Sequence, residues 1–160
     1  MVVALCTSNK TLLIDYRTAI RLPAVGYMIP TYLLGWQVRK ACIITAMAQE
    51  WVRKLCMSLP HTTEQILWGD NLVFKIGGKM YAVMPLEPAR LWLSFKVTPE
   101  EFAELCEREG VVPAPYSARH HWVALEGVSA IPVAELKQFL RQAYALVRAK
   151  LPRKVQAQLN

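Results

Sequence analysis

A chain of 160 residues, 54% hydrophobic and 19% charged, is long enough for one ordinary core and too short for two generous domains. Its formal charge of +7 is uneven: residues 1–46 hold five Lys/Arg against one Asp (+4), and residues 47–160 hold fourteen against eleven Asp/Glu (+3), too mild a surplus to argue nucleic-acid binding alone. Cys6, Cys42, Cys56 and Cys106 include no C-x-x-C pair, which excludes a locally encoded zinc knuckle or disulfide framework.

Residues 1–46 carry no clean helical or strand period. Their uncharged stretch, 22–37, is interrupted by Pro23, Gly26, Pro30 and Gly35 and falls short of the roughly 20 apolar residues that span a bilayer. It also lies too late, and holds too many helix breakers, for a secretion signal. A recognisable helix starts at Met47, so the reading takes Met47 as the biological start and 1–46 as an N-terminal extension from upstream translation. The expected compartment is the cytoplasm, with reduced thiols and no membrane attachment.

From Ala48 to Leu59, Trp51, Val52, Leu55 and Leu59 recur at helical spacing, and Pro60 ends the helix. Gln65 to Trp68 reads as a short strand, and Gly69, Asp70 and Asn71 turn the chain. Asn71 to Met84 then reads as a β-hairpin, because Gly77-Gly78 suits a two-residue loop whose central residues take positive φ. Gly78-Lys79 is not a phosphate loop: Val73 replaces its first glycine and Met80 its metal-binding hydroxyl. After a proline-containing loop, Leu91, Leu93, Phe95 and Val97 alternate with Trp92, Ser94 and Lys96, the period of a strand over Arg90 to Val97.

Thr98, Pro99 and Glu101 predict a capped helix start, with Phe102, Leu105 and Cys106 as the inner stripe and Gly110 as the stop. A loop with Pro113 and Pro115 leads to a strand from His121 to Leu125. Pro132 opens a helix to about Lys150, with Val133, Leu136, Leu140, Ala143, Val147 and Leu151 facing inward. This order gives an α+β fold, an antiparallel sheet with helices packed on one side.

Several of these pieces occur together in one order: Leu55-Cys56-Met57-Ser58-Leu59-Pro60, Trp68-Gly69-Asp70, the Val73 to Tyr81 hairpin, Leu93 to Glu101, His121-Trp122-Val123, and the Tyr144 to Pro152 helix end. Over about residues 47–152 the chain resembles the MmcQ/YjbR family, with 1–46 outside the resemblance and 153–160 a basic tail. The resemblance implies a frataxin-like topology described as a double-wing DNA-binding architecture, and hence weak, phosphate-directed binding of double-stranded DNA.

The candidate nucleic-acid contacts are Lys75 and Lys79 on the hairpin, Lys96 on the next strand, and Arg119, His120 and His121 before the last strand; long cations near hairpin tips reach phosphates with little sequence information. Lys137, Arg141 and Arg148, within about 40° on one helical wheel, form a second basic face. Trp68, Trp92 and Trp122 read as core residues beside the helices rather than stacking platforms. His120 and His121 point to opposite faces of a strand and do not make a metal pair. The rival reading is a carboxylate ridge, Glu100, Glu104 and Glu107, open to a hard cation or a basic protein partner. No cofactor motif or catalytic constellation is recognisable, so the expectation is a non-enzymatic protein with neither cofactor nor resident metal.

Overall fold

The computed structural model describes residues 3–7, 10–14, 31–87 and 89–159, with side chains from Ile44 onward. Two compact units divide at Met47/Ala48. The first contains an antiparallel strand pair, β1 (Val3–Thr7) and β2 (Lys10–Ile14), where the sequence carries no strand period; the pairing runs from Val3↔Ile14 to Thr7↔Lys10. Helix α1 spans Thr31–Met57, so it starts well before Met47. Residues 22–30 of the interrupted apolar stretch, and the side chain of Cys42, lie outside the described residues. Among the described residues no helix is long and apolar enough to cross a membrane.

The second unit is built on six antiparallel strands in the order β3-β4-β5-β6-β8-β7. These are β3 (Thr62–Leu67), β4 (Asn71–Ile76), β5 (Lys79–Pro85), β6 (Leu93–Lys96), β7 (Val111–Pro113) and β8 (Trp122–Leu125). Helices α2 (Pro99–Cys106) and α3 (Val133–Ala149), with the end of α1, cover one face, as an α+β fold requires. The core between sheet and helices holds Val52 and Cys56 of α1, Phe74, Tyr81, Phe95 and Leu125 of the strands, Leu105 of α2, and Leu136 and Leu140 of α3. Val133, expected to face inward, is exposed because it occupies the first turn of α3, and the buried stripe begins at Leu136. The basic tail forms a short helix, α4 (Arg153–Gln158).

Local signals explain most boundaries. The Thr98 hydroxyl accepts the Glu101 amide at 3.2 Å, and the Glu101 carboxylate accepts the Thr98 amide at 2.9 Å, so both halves of the capping box are formed. Helix α2 ends at Cys106 with Glu107 as its C-cap, earlier than a stop at Gly110 implies, and Gly110, at φ +78°, lies in the turn that leads to β7. The sequence reads 111–113 as loop, but β7 pairs with β8 through Val111↔Leu125 and Pro113↔Val123. It is an edge strand, where a proline's missing N–H is tolerated.

At the hairpin, Gly77 and Gly78 have φ of +54° and +76°. A Cβ on Gly78 would meet nothing, whereas one on Gly77 would come within 2.7 Å of Leu151 Cδ1 and 2.9 Å of Val155 Cγ1. Gly78→Ala is therefore expected to cost about 1 kcal/mol from the left-handed backbone alone, and Gly77→Ala about 2 kcal/mol as it also overpacks the buried Leu151. Urea denaturation of both variants checks the ranking; equal losses would mean that the C-terminal residues yield freely.

One departure from strict alternation shapes the sheet. Lys75 pairs with Met80 but Phe74 pairs with Ala82, leaving Tyr81 as the extra residue of a β-bulge. Tyr81 and Ala82 consequently both face the helices, while Met80 and Val83 pack on the opposite face.

Candidate functional site

The open face of the sheet, the one turned away from the helices, is only partly exposed: Val73, Trp122 and Ala124 on it are buried, and Lys75, Met80, Ser94 and Lys96 are half-buried. Register and alternation place there Gln65 of β3, Asn71, Val73 and Lys75 of β4, Met80 and Val83 of β5, Ser94 and Lys96 of β6, and Trp122 and Ala124 of β8. None of these strand residues is acidic; Glu64, the one carboxylate within the six strands, lies on the helix side and pairs with Arg53.

Lys75 Nζ donates to Gln65 Oε1 at 2.7 Å, and Lys96 Nζ donates to the His120 carbonyl at 2.5 Å. Both acceptors are neutral, so the hydrogen bonds orient the ammonium groups without cancelling their charge. The two lysines lie two strands apart, about 10 Å by the spacing of a sheet. Burial, and then the positive charge of Lys150, lowers the Lys96 pKa, since each disfavours the charged form. The Lys96 bond to the His120 carbonyl ties the short 3-10 helix Ala118–His120 to the same border, and within that helix Arg119 Nε donates to His120 Nε2 at 3.2 Å.

The six predicted contacts therefore divide. Lys75, Lys96, Arg119 and His120 gather on the open face and its edge. Lys79 is exposed but stands opposite Ile76, on the helix-bearing side of the hairpin tip. His121 adopts a left-handed backbone (φ 56°), and its ring meets Phe102 edge-on at 5.8 Å, so it packs on α2. By contrast, Arg53, Arg90 and Arg108 are neutralised by Glu64, by Glu126, and by Glu104 with Glu135.

A groove of about 580 Å³ lies on the open face, with Met80, Val83, Ser94 and Trp122 beneath it, Trp68 and Asn71 at one side, and residues 114–117 at the other. Trp122, Ala114 and Ala124 form a second small apolar cluster there with Met80, Val83, Leu91 and Val112. The three tryptophans read as core residues thus separate: Trp92 is in the main core, Trp122 is buried on the opposite face, and Trp68 is 67% exposed. Tyr116 is fully exposed. Both rim aromatics hold left-handed backbones, φ 52° at Trp68 and 61° at Tyr116, a conformation costing a non-glycine residue about 1–2 kcal/mol. No motif marks them; the signal in the sequence is a bulky aromatic inside a turn, at Trp68-Gly69 and Pro115-Tyr116.

A family model described as YjbR matches residues 57–146, more than half of the chain. The chain belongs to the YjbR family. A solved structure of the Deinococcus radiodurans protein DR2400, with a domain described as DUF419, is 31% identical over 68% of this chain and 84% of that one, with a TM-score of 0.62. A Pseudomonas syringae protein is similar at 22% identity over 53% of this chain and 86% of that one, with a TM-score of 0.43. No curated protein matches. The YjbR match contains the hairpin, the open face and the whole groove, so these features belong to the family domain.

The other two candidate surfaces of this YjbR chain lie on its helices. On α3, Lys137 and Arg141 are exposed and Arg148 is half-buried; Lys137 Nζ sits 5.9 Å from the Trp51 ring centroid, a cation–π contact joining α3 to α1. Glu100 and Glu104 are exposed on α2, and Glu107 follows at its C-cap. Arg108 holds Glu104 at 3.1 Å, which compensates part of that ridge. Among the described residues no group of three or more His, Cys, Asp or Glu side chains is arranged to hold a metal ion.

Proposed function

We propose that this YjbR protein is a non-enzymatic nucleic-acid-binding protein that takes duplex DNA weakly, mainly through its phosphates, on the open face of the sheet. The observation that carries this reading is the sign of that face: Lys75 and Lys96 lie among strand residues with no carboxylate, and their hydrogen-bond acceptors are neutral. Arg119 at the border extends the same cationic edge, whereas Lys79 is exposed on the helix side of the hairpin tip. Such contacts fix the position of a strand and read little of its sequence. The rival reading of the acidic ridge as a cation or protein site is weaker, because Arg108 already occupies Glu104.

The test is fluorescence anisotropy of labelled duplex DNA against the full chain over a series of salt concentrations. Three phosphate contacts, from Lys75, Lys96 and Arg119, each contributing about 0.9, predict a slope of log affinity against log salt of roughly 3. Absence of binding at low salt would remove the proposal and turn attention to α2.

A further inference from the structure

We infer that the groove beside the lysines receives an unpaired base, so that the preferred ligand is a single-stranded or locally unpaired segment of nucleic acid. This rests on the nucleic-acid reading and narrows its ligand. Three independent features support it. The first is aromatic surface: Trp68 and Tyr116 stand exposed at the rim, over a floor that includes Met80 and Trp122. A base inside a duplex offers its faces only to its neighbours in the stack, whereas an unpaired base can lie on an aromatic ring whatever its identity.

The second feature is uncommitted polar capacity. The Ser117 hydroxyl makes no capping bond to the 3-10 helix that follows it. Asn71 donates its Nδ2 to the Trp68 carbonyl at 3.1 Å, which leaves its Oδ1 available as an acceptor. Ser94 adds a further hydroxyl to the lining. A few polar atoms within a mainly apolar groove suit the rim of a heteroaromatic ring. The third is charge: no carboxylate lines the groove, and Lys75 and Lys96 share its sheet face, where the phosphates flanking an inserted base would be held. A volume of about 580 Å³ lies within the range of small-ligand sites.

The experiment compares a labelled oligothymidine strand, the same strand with abasic sites, and a blunt duplex, each titrated with the full chain at one salt concentration. The intact strand is expected to bind at least about 10-fold more tightly than either the abasic strand or the duplex. Trp68→Ala and Tyr116→Ala should each weaken strand binding by about 5-fold or more, the scale of one lost stack, without changing duplex binding. Trp68→Phe should restore most of the loss. Both positions are exposed, and unchanged thermal melting of the variants confirms that folding is intact. If strand, abasic strand and duplex bind alike and Trp68→Ala alters none of them, the base site is wrong while phosphate binding stands. If none of the three binds, the nucleic-acid reading falls and takes the base site with it.

Discussion

Neutralising Lys75 and Lys96 together, as Lys75→Gln with Lys96→Gln, is expected to lower affinity for nucleic acid by roughly 200-fold at about 50 mM salt but only about 20-fold at about 200 mM. The asymmetry follows from counterion release: each contact contributes about the salt concentration to the power −0.9, so its worth shrinks as salt rises. The slope of log affinity against log salt should fall by about 2 in the same experiment. Glutamine is chosen because each side chain retains a donor for its present acceptor, Gln65 Oε1 or the His120 carbonyl, so the change is one of charge rather than local bonding. The control is Lys137→Gln with Arg141→Gln on α3, which carries the other basic face. If that pair reproduces the loss and the sheet pair does not, the binding surface is the helix and the open face is only solvated.

The sequence carries local chemistry more plainly than it carries faces. Thr98, Pro99 and Glu101 specify a helix start by their own hydrogen bonds, and Gly77-Gly78 specifies a hairpin by φ alone, so both are legible without tertiary context. Pro113 misleads for the opposite reason. A proline in a three-residue run argues for loop until the strand proves to be an edge, and edge status is a property of the whole sheet. Trp68 misleads in the same way, because a large aromatic is usually buried, and only the turn geometry shows that this one is not.

The open face was the least legible part. Strict alternation through β5 would place Tyr81 and Val83 on one side and Met80 and Ala82 on the other. The bulge at Tyr81 breaks that pattern and sends Met80 and Val83 together to the groove floor. Lys79 falls on the helix side, so the two lysines that flank the turn in sequence do not act on one surface. Lys96, two strands away, is the true neighbour of Lys75 on the open face. The two-residue turn puts Lys79 and Lys75 on different faces, and the extra residue in β5 brings Lys96, already among the candidates, onto the face of Lys75.

That extra residue is also where the fold is most exposed to a single change. Tyr81→Ala is expected to destabilise the domain by about 3–5 kcal/mol, the cost of truncating a fully buried aromatic that leaves a cavity. The side chain is enclosed by the Phe74 ring, 6.4 Å away, and by Tyr144, edge-on at 5.7 Å and 87°. Its hydroxyl lies 3.2 Å from the Thr62 hydroxyl and donates to the Cys56 carbonyl over a longer 3.4 Å. Burial raises the Tyr81 phenol and pushes the Cys56 thiol up to about 12, so both remain neutral donors near neutral pH. Tyr81→Phe keeps the ring and removes only the hydroxyl. It leaves the Thr62 hydroxyl without this partner, while the Cys56 carbonyl still accepts the Leu59 amide at 3.1 Å, so the expected cost is about 1–2 kcal/mol. Urea denaturation of both variants separates the contributions: a loss for Tyr81→Phe equal to that for Tyr81→Ala would mean that the polar bridge from β5 to α1 and β3, rather than ring packing, holds the bulge in place. With packing dominant, Tyr81→Ala should also reduce nucleic-acid binding, because a bulge that relaxes to regular alternation would withdraw Met80 from the groove floor. Tyr81→Phe should leave binding unchanged.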